Sequence, residues 1–378
     1  MLQRHDLSDV DPDEQLPAME KVADDVHASF DLGQGPLVSA VLFDRGAGQR
    51  PMLFVAAHHL VVDGVSWRIL VDDLATAYGQ LGRGEPVDLG PKTTSVQDWS
   101  QRLGAYVRAG GLDHELAHWQ GVLDAAPLPV DHPLDESAVP VSSTTPVHTA
   151  SVELDTADTE ALLRGAPTAY RTGINDVLLA ALAWALARWT GQPRVAVDLE
   201  GHGREEILDG VDLSRTVGWF TTMFPVAFDV PADREQDSPD WRALVKSVRR
   251  QLRAVPGNGF GFGALRYLGA PATQDALAAD RPGPQVAFNY LGQWDARSAE
   301  PDGGLVQAEH GSLGQDHDSA DRGAHLLEVV GAAQGGRLAF TWFYQPDRHD
   351  HSTVESVAAD FADALRRIAR DCREATRP

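Results

Sequence analysis

Pro127, Pro129, Pro133, Pro140 and Pro146 fall within the single stretch "DAAPLPVDHPLDESAVPVSSTTPV". Proline lacks a backbone N–H and fixes φ, so neither a helix nor a central strand runs through this segment. The chain has 378 residues, more than one compact core usually serves. Together these facts predict two lobes: the first over residues 1–125, a linker over 126–146, and the second over 147–378.

Each lobe mixes helices and strands. Residues 12–30 read as an acidic amphipathic helix, and "GPLVSAVLFDRG" and "RPMLFVAAH" as strands. Val65, Ile69, Leu70, Leu74, Ala77, Tyr78 and Leu81 fall on one helical face, so a helix follows the Asp63–Gly64 pair, with Asp63 as its N-cap. Residues 95–123 read as helical again. In the second lobe "VHTASVEL", "RVAVDLE", "MFPVAFDV", "PQVAFNYL", "HLLEVVGAA" and "RLAFTWFY" read as strands. Residues 353–372 form a closing amphipathic helix. The longest apolar run, Val177–Ala187, is too short to span a bilayer and reads as a buried helix. This pattern is α/β, with helices layered on sheets. Both lobes send a strand into a polar loop, "FVAAHH" in one and "VAVDLEGHGRE" in the other, a weak sign of duplication.

Charge narrows the function. The chain carries 55 Asp and Glu against 32 Lys and Arg, for a formal charge of −23. That field repels nucleic acid and anionic membrane, and no basic stripe offsets it. The only cysteine is Cys372, so there is no intrachain disulfide and the cytosol is the expected compartment. The opening "MLQRHDLSDVDPDEQ" is acidic and lacks the apolar core of a signal peptide.

The chemistry-bearing residues cluster in a few loops. "AAHHLVVDGVSWRIL" (56–70) puts His58, His59 and Asp63 on one short loop between strand and helix. "HHLVVDGVSW" resembles the His-His-x-x-x-Asp-Gly signature of the condensation-domain superfamily of nonribosomal peptide synthetases, a signature that other carrier- or coenzyme-A-dependent acyltransferases share. "INDVLLAALAWAL" (174–186), "LEGHGREE" (199–206), "SRTVGWFTTMFPV" (214–226), "VPGNGFGFG" (255–263) and "VAFNYLGQWD" (286–295) resemble the epimerization branch, in this order and at about this spacing. The resemblance covers nearly the whole chain. The family's opening Pro-Ile-Gln-x-Trp-Phe pattern is not in it. The expectation is that the segment was lost, that the reading frame starts late, or that a separate chain supplies it, and that the chain alone is poorly behaved.

The resemblance implies two chloramphenicol-acetyltransferase-like α/β sandwich lobes in a V-shaped pseudo-dimer, the first lobe incomplete. The implied reaction inverts the α-carbon of an aminoacyl or peptidyl thioester held on a carrier protein's phosphopantetheine arm. The carrier docks in trans or comes from an adjacent synthetase module. No cofactor is bound directly, and neither nucleic acid nor membrane is a partner.

The α-proton of a thioester is weakly acidic, and its removal needs a positioned base and a stabiliser for the enolate oxygen. Glu200, in a loop that Gly201 and Gly203 let turn tightly, is the candidate acid/base. Burial between lobes would raise its pKa towards neutrality. His59 is the candidate partner, as enolate stabiliser or as acid on the other face; the sequence leaves these roles open. Tyr290 is the third catalytic candidate. His58, Asp63, Gly64, Asn289, His202 and Arg204 are candidate supporting residues, and Trp219, Phe220 and Gln293 candidate lining of a substrate tunnel. The plain alternative for a lone histidine at a strand end is a satisfied core residue.

Rival readings remain. A degenerate member would only bind a carrier or scaffold an assembly. A condensing relative would form an amide bond, against which the Glu200 loop and "FNYLGQ" argue. "HELAHWQGVLD" (114–124) also spells a zinc-hydrolase pattern, with His114, His118 and Asp124 as ligands and Glu115 as base. Its plain alternative is a helix packed through Leu116, Trp119, Val122 and Leu123. Lys21, Lys92 and Lys246, the chain's three lysines, read as solvated. A single cysteine rules out two-thiol racemase chemistry within one chain.

Overall fold

The computed structural model describes residues 2–124, 126–133, 147–231, 239–278, 283–293, 305, 312–315 and 324–375. Within these the chain forms β1 (Leu2–Asp6), α1 (Pro12–Ala28), β2 (Val38–Asp44), β3 (Met52–Ala57), α2 (Gly64–Gly82), α3 (Val96–Arg108), α4 (Leu116–Val122), β4 (His148–Leu154), α5 (Thr156–Glu160), α6 (Ala166–Tyr170) and α7 (Ile174–Thr190). There follow β5 (Arg194–Gly201), β6 (Thr222–Asp229), α8 (Trp241–Arg253), α9 (Phe260–Leu268), α10 (Pro271–Ala278), β7 (Val286–Gln293), β8 (Leu327–Gln334), β9 (Arg337–Tyr344) and α11 (His351–Ala375). Every strand and helix anticipated in the second lobe forms, as do the first helix and two strands of the first. The helix anticipated over 95–123 is interrupted. It breaks at Gly110 and Gly111 and resumes through a 3-10 turn at Asp113–Glu115. Gly110 sits at φ +82°, where a side chain would be strained.

The chain divides into two compact units, each bearing a sheet. The first comprises residues up to Trp99, a returning segment Asp209–Phe220, and among later described residues 305 and 312–315. The second holds the rest. The first division between the units falls inside α3, at Trp99–Ser100. A helix can carry the chain across a boundary as well as a proline-rich linker can. Pro140 and Pro146 lie outside the described residues, as does most of that linker.

In the first unit the sheet order is β1-β2-β3, with β1 parallel to β2 and β3 antiparallel. Alternation along β2 turns Ser39, Val41 and Phe43 inward. Val41, Phe43 and Ala56 meet Met19 and Val26 of α1 in one core cluster. The helix α2 departs from expectation. Of its anticipated apolar face only Ile69 is buried, while Leu74, Tyr78 and Leu81 are 44%, 53% and 64% exposed. Its firmest ties are polar and lie at its first turn. Helical periodicity reports that a stripe exists, not that something covers it.

In the second unit the sheet order is β4-β9-β8-β7-β5-β6, with β5, β7 and β8 mutually parallel and the rest antiparallel. One face is apolar: Val195, Val197, Leu199, Phe288, Val329, Phe340 and Trp342 are all buried. α7 and α11 pack against it, and every residue from Val177 to Ala187 is buried. Phe361 of α11 meets Phe340 edge-on at 4.9 Å and Trp342 at 5.8 Å. A helix apolar all round is stable only when covered on all sides; α8 and α11 flank α7 while β5 lies beneath it. The opposite face of β5 carries Asp198 and Glu200.

Candidate active site

Each unit carries one group of candidate residues. In the first unit β3 ends at Ala57, and a 3-10 turn spans His59–Val61. His58 caps this turn, its Nδ1 accepting from the Leu60 N–H at 3.2 Å, and its ring stands edge-on to Phe30 at 6.2 Å. His59 is exposed. Asp63, only 2% exposed, is the N-cap of α2: Oδ1 accepts from the Ser66 N–H at 2.8 Å. Its Oδ2 accepts from the Phe220 N–H at 3.0 Å. Ser66 completes the tie, its Oγ donating to the Gly218 carbonyl at 2.9 Å and accepting from the Gly218 N–H at 3.0 Å. The first turn of α2 thus grips residues 218–220 through two buried side chains.

That grip explains two motifs at once. A Cβ on Gly218 would lie 2.7 Å from the Val96 side chain, so only glycine fits. Phe220 is 2% exposed and packs edge-on against Trp99 at 5.0 Å. It packs as a core residue of the first unit. Trp219 between them turns outward, 47% exposed, with its ring 5.1 Å from that of His59. Gly64 opens α2, and a Cβ there would meet nothing within 4 Å.

Removal of the Asp63 carboxylate leaves two buried N–H groups unsatisfied. Asp63→Ala is expected to cost about 2–4 kcal/mol of stability. Asp63→Asn, which keeps one carbonyl acceptor, is expected to cost about half as much. Urea denaturation midpoints of the three proteins check both.

In the second unit Glu200 lies near the end of β5, opposite Met223 of β6. Its side chain is exposed. Asn289 of β7 donates from Nδ2 to Glu200 Oε2 at 2.7 Å and fixes the carboxylate's orientation. Beyond β5, the Arg204 N–H donates to His202 Nδ1 at 3.0 Å, and His202 Nε2 lies 3.3 Å from Glu205 Oε1. Tyr290 follows Asn289, so strand alternation directs it to the other face of β7. Its buried hydroxyl has no hydrogen-bond partner among the described residues, and burial raises its pKa. Gln293 ends β7 exposed, after a break in register between Tyr290 and Gln293. Trp294 and Asp295, the end of "VAFNYLGQWD", lie outside the described residues.

The glycine-rich stretch supports the Glu200 loop. Asn258, at φ +50°, donates from Nδ2 to Glu205 Oε2 at 3.0 Å. Gly259 lets the turn lie on Phe224 of β6: a Cβ there would stand 2.1 Å from the ring. At Gly261 the same atom would stand 1.9 Å from Glu115 Oε2. Glu115, the supposed zinc-hydrolase base, is thus a buried wedge against this turn. It accepts from Trp119 Nε1 at 3.0 Å, and desolvation raises its pKa. His114 is exposed, and His118 stands edge-on to Trp119 at 4.8 Å. Among the described residues no group of three or more His, Cys, Asp or Glu side chains is placed to hold a metal. Sequence reading missed this role of Glu115. It also missed His325, whose Nε2 lies 2.7 Å from Asp198 Oδ2 on the face of β5 that carries Glu200. The charged Asp198 between Val197 and Leu199 was the available signal.

The sequence profile of the condensation domain matches residues 1–377. The chain belongs to the condensation-domain family. The two sheet-bearing units are those of the expected chloramphenicol-acetyltransferase-like fold. This condensation-family chain is 43% identical over 373 residues to chondramide synthase cmdD of Chondromyces crocatus, covering 97% of the chain and 9% of that protein. It is 35% identical over 372 residues to tyrocidine synthase 1 of Brevibacillus parabrevis, covering 96% of the chain and 33% of that protein. The chain therefore spans a third or less of the length of these relatives. Among solved structures, the epimerization domain from the third module of tyrocidine synthetase B matches with a TM-score of 0.82 at 31% identity. That match covers 100% of this chain and 80% of the other. The resemblance to the epimerization branch thus holds in structure as well as in motif. Among the described residues no helix is long and apolar enough to cross a membrane.

Proposed function

We propose that this chain epimerizes the α-carbon of an aminoacyl or peptidyl thioester carried on a phosphopantetheine arm, converting L to D. The observation that carries the reading is the full-length match to a solved epimerization domain, joined to a carboxylate, Glu200, held by Asn289. The carrier protein binds in trans or from a neighbouring module. The net negative charge and the single cysteine suit a cytosolic setting without nucleic acid or membrane.

In the proposed cycle Glu200 takes the α-proton, and the electron pair passes onto the thioester oxygen as an enolate. A hydrogen-bond donor lowers the energy of that oxyanion. A proton then returns to the opposite face, which inverts the centre without redox chemistry. His59 is the proposed partner, as donor to the enolate or as the second acid. The Asn289 contact orients the carboxylate before the substrate arrives, and such preorganisation lowers the cost of reaching the transition state. His58, Asp63 and Ser66 hold the His59 loop. Tyr290, on the other face of β7, is assigned no step.

Incubation of loaded carrier with the protein in deuterated buffer tests the reading. Deuterium is expected at the α-carbon, together with a D/L mixture from either enantiomer. Folded protein that exchanges no α-proton on a range of loaded carriers would favour the scaffold reading instead.

A further inference from the structure

One step back along β5 from Glu200, on the same face, stands Asp198. The two positions are about 7 Å apart along the strand. The Asp198 side chain is 15% exposed and that of His325 only 6%. His325 precedes β8 and reaches across to Asp198, Nε2 to Oδ2 at 2.7 Å. On its other side Nδ1 lies 3.8 Å from Glu328 Oε1 of β8. A buried imidazole flanked by two carboxylates is a structural choice that the core does not require. Valine or leucine would fill the space, as on the opposite face.

Resting on the epimerase reading, we infer that His325 is a positioning residue for Glu200, its cationic ring neutralising Asp198 so that the neighbouring carboxylate ionises freely. Two carboxylates about 7 Å apart on one strand hinder each other's ionisation. A cation fixed on the first removes that hindrance from the second. Burial lowers the His325 pKa, but the hydrogen bond and charge of Asp198, with Glu328 beyond, outweigh it and push it up to about 9. The ring therefore stays charged at neutral pH. From the neighbouring strands, Asn289 of β7 and Met223 of β6 stand beside Glu200. His202, Arg204 and Glu205 follow in its own loop. His325 touches neither the carrier nor the reacting atoms in this inference.

The test is the titration of Glu200, followed by carboxylate 13C NMR in the free protein, together with that of the His325 ring. In His325→Gln the Glu200 midpoint is expected to rise by about one pH unit, because Asp198 is left with an uncompensated charge. In Asp198→Asn the Glu200 midpoint is expected to fall and the His325 midpoint to drop towards 6.5. The double variant is expected to return the Glu200 midpoint to near its starting value. The acid limb of kcat/KM against pH is expected to move with these midpoints. A Glu200 midpoint unchanged in both single variants, or a His325 ring that titrates like an exposed histidine, overturns the inference. The NMR midpoints are read without substrate. Shifted midpoints in a protein that exchanges no α-proton would leave the electrostatic inference standing and sink the epimerase reading alone.

Discussion

Glu200→Gln is expected to reduce epimerization by a factor of about 10² to 10⁴, the range for loss of a positioned general base. The amide keeps the size of the carboxylate, so the sheet and the neighbouring loop should be undisturbed. His59→Ala is expected to fall in the same range if it supplies a proton or a hydrogen bond to the enolate. His59 is exposed and its neighbour is the outward-turned Trp219, so its removal should leave stability nearly unchanged. Chiral analysis of product released from loaded carrier, with circular dichroism on the same samples, checks both. Near-normal turnover in Glu200→Gln would remove the carboxylate from the mechanism.

Gly259→Ala is expected to be the most damaging single methyl group in the second unit. The residue sits at φ +87°, which strains any side chain, and the added carbon would stand 2.1 Å from the Phe224 ring. Strain and overpacking together should cost about 3 kcal/mol or more. The adjacent Asn258 holds Glu205, so activity should fall beyond what the loss of folded protein explains. Gly263→Ala is the matched control. It lies within α9, and a Cβ there would meet nothing within 4 Å. There alanine should be neutral, or stabilising by about 0.5–1 kcal/mol. Guanidinium denaturation of the two variants, with specific activity per folded molecule, separates the effects.

Local rules made β2 to β9 and the helices α1, α2, α7 and α11 legible, but not β1, α8, α9 or α10. Alternation in "RVAVDLE" and "RLAFTWFY" and the unbroken run of Val177–Ala187 each name a covered surface. The covering partner was legible only where the whole stretch is apolar. For α2 the spacing was correct, yet Leu74 and Tyr78 are exposed, because periodicity carries no information about a neighbour. At the site, residue types pointed to Glu200 and His59, but not to what holds them. Asn289 lies 89 residues from Glu200, and Ser66 lies 152 from Gly218. No local pattern encodes such pairings. Glu115 misled for the same reason: its H-E-x-x-H spacing is local, whereas the glycine turn that claims it is remote in the chain.

The returning segment Asp209–Phe220 has a consequence for how the chain is made. Ser66 is made 152 residues before Gly218, and the amides and carbonyl of Gly218 and Phe220 complete the hydrogen bonds of Ser66 and Asp63. At bacterial or eukaryotic elongation rates of about 5–20 residues per second, the wait is on the order of ten seconds. During it the first unit holds two buried-type polar groups without their partners, and the N-cap of α2 is only half used. The second unit, by contrast, has its first strands and α7 already emerging. A nascent chain halted before Phe220 should therefore be open to proteases and chaperones across residues 2–99, however complete that stretch looks in sequence. The polar tie at the head of α2 is thus timed by a dozen residues that lie inside the coding span of the second unit.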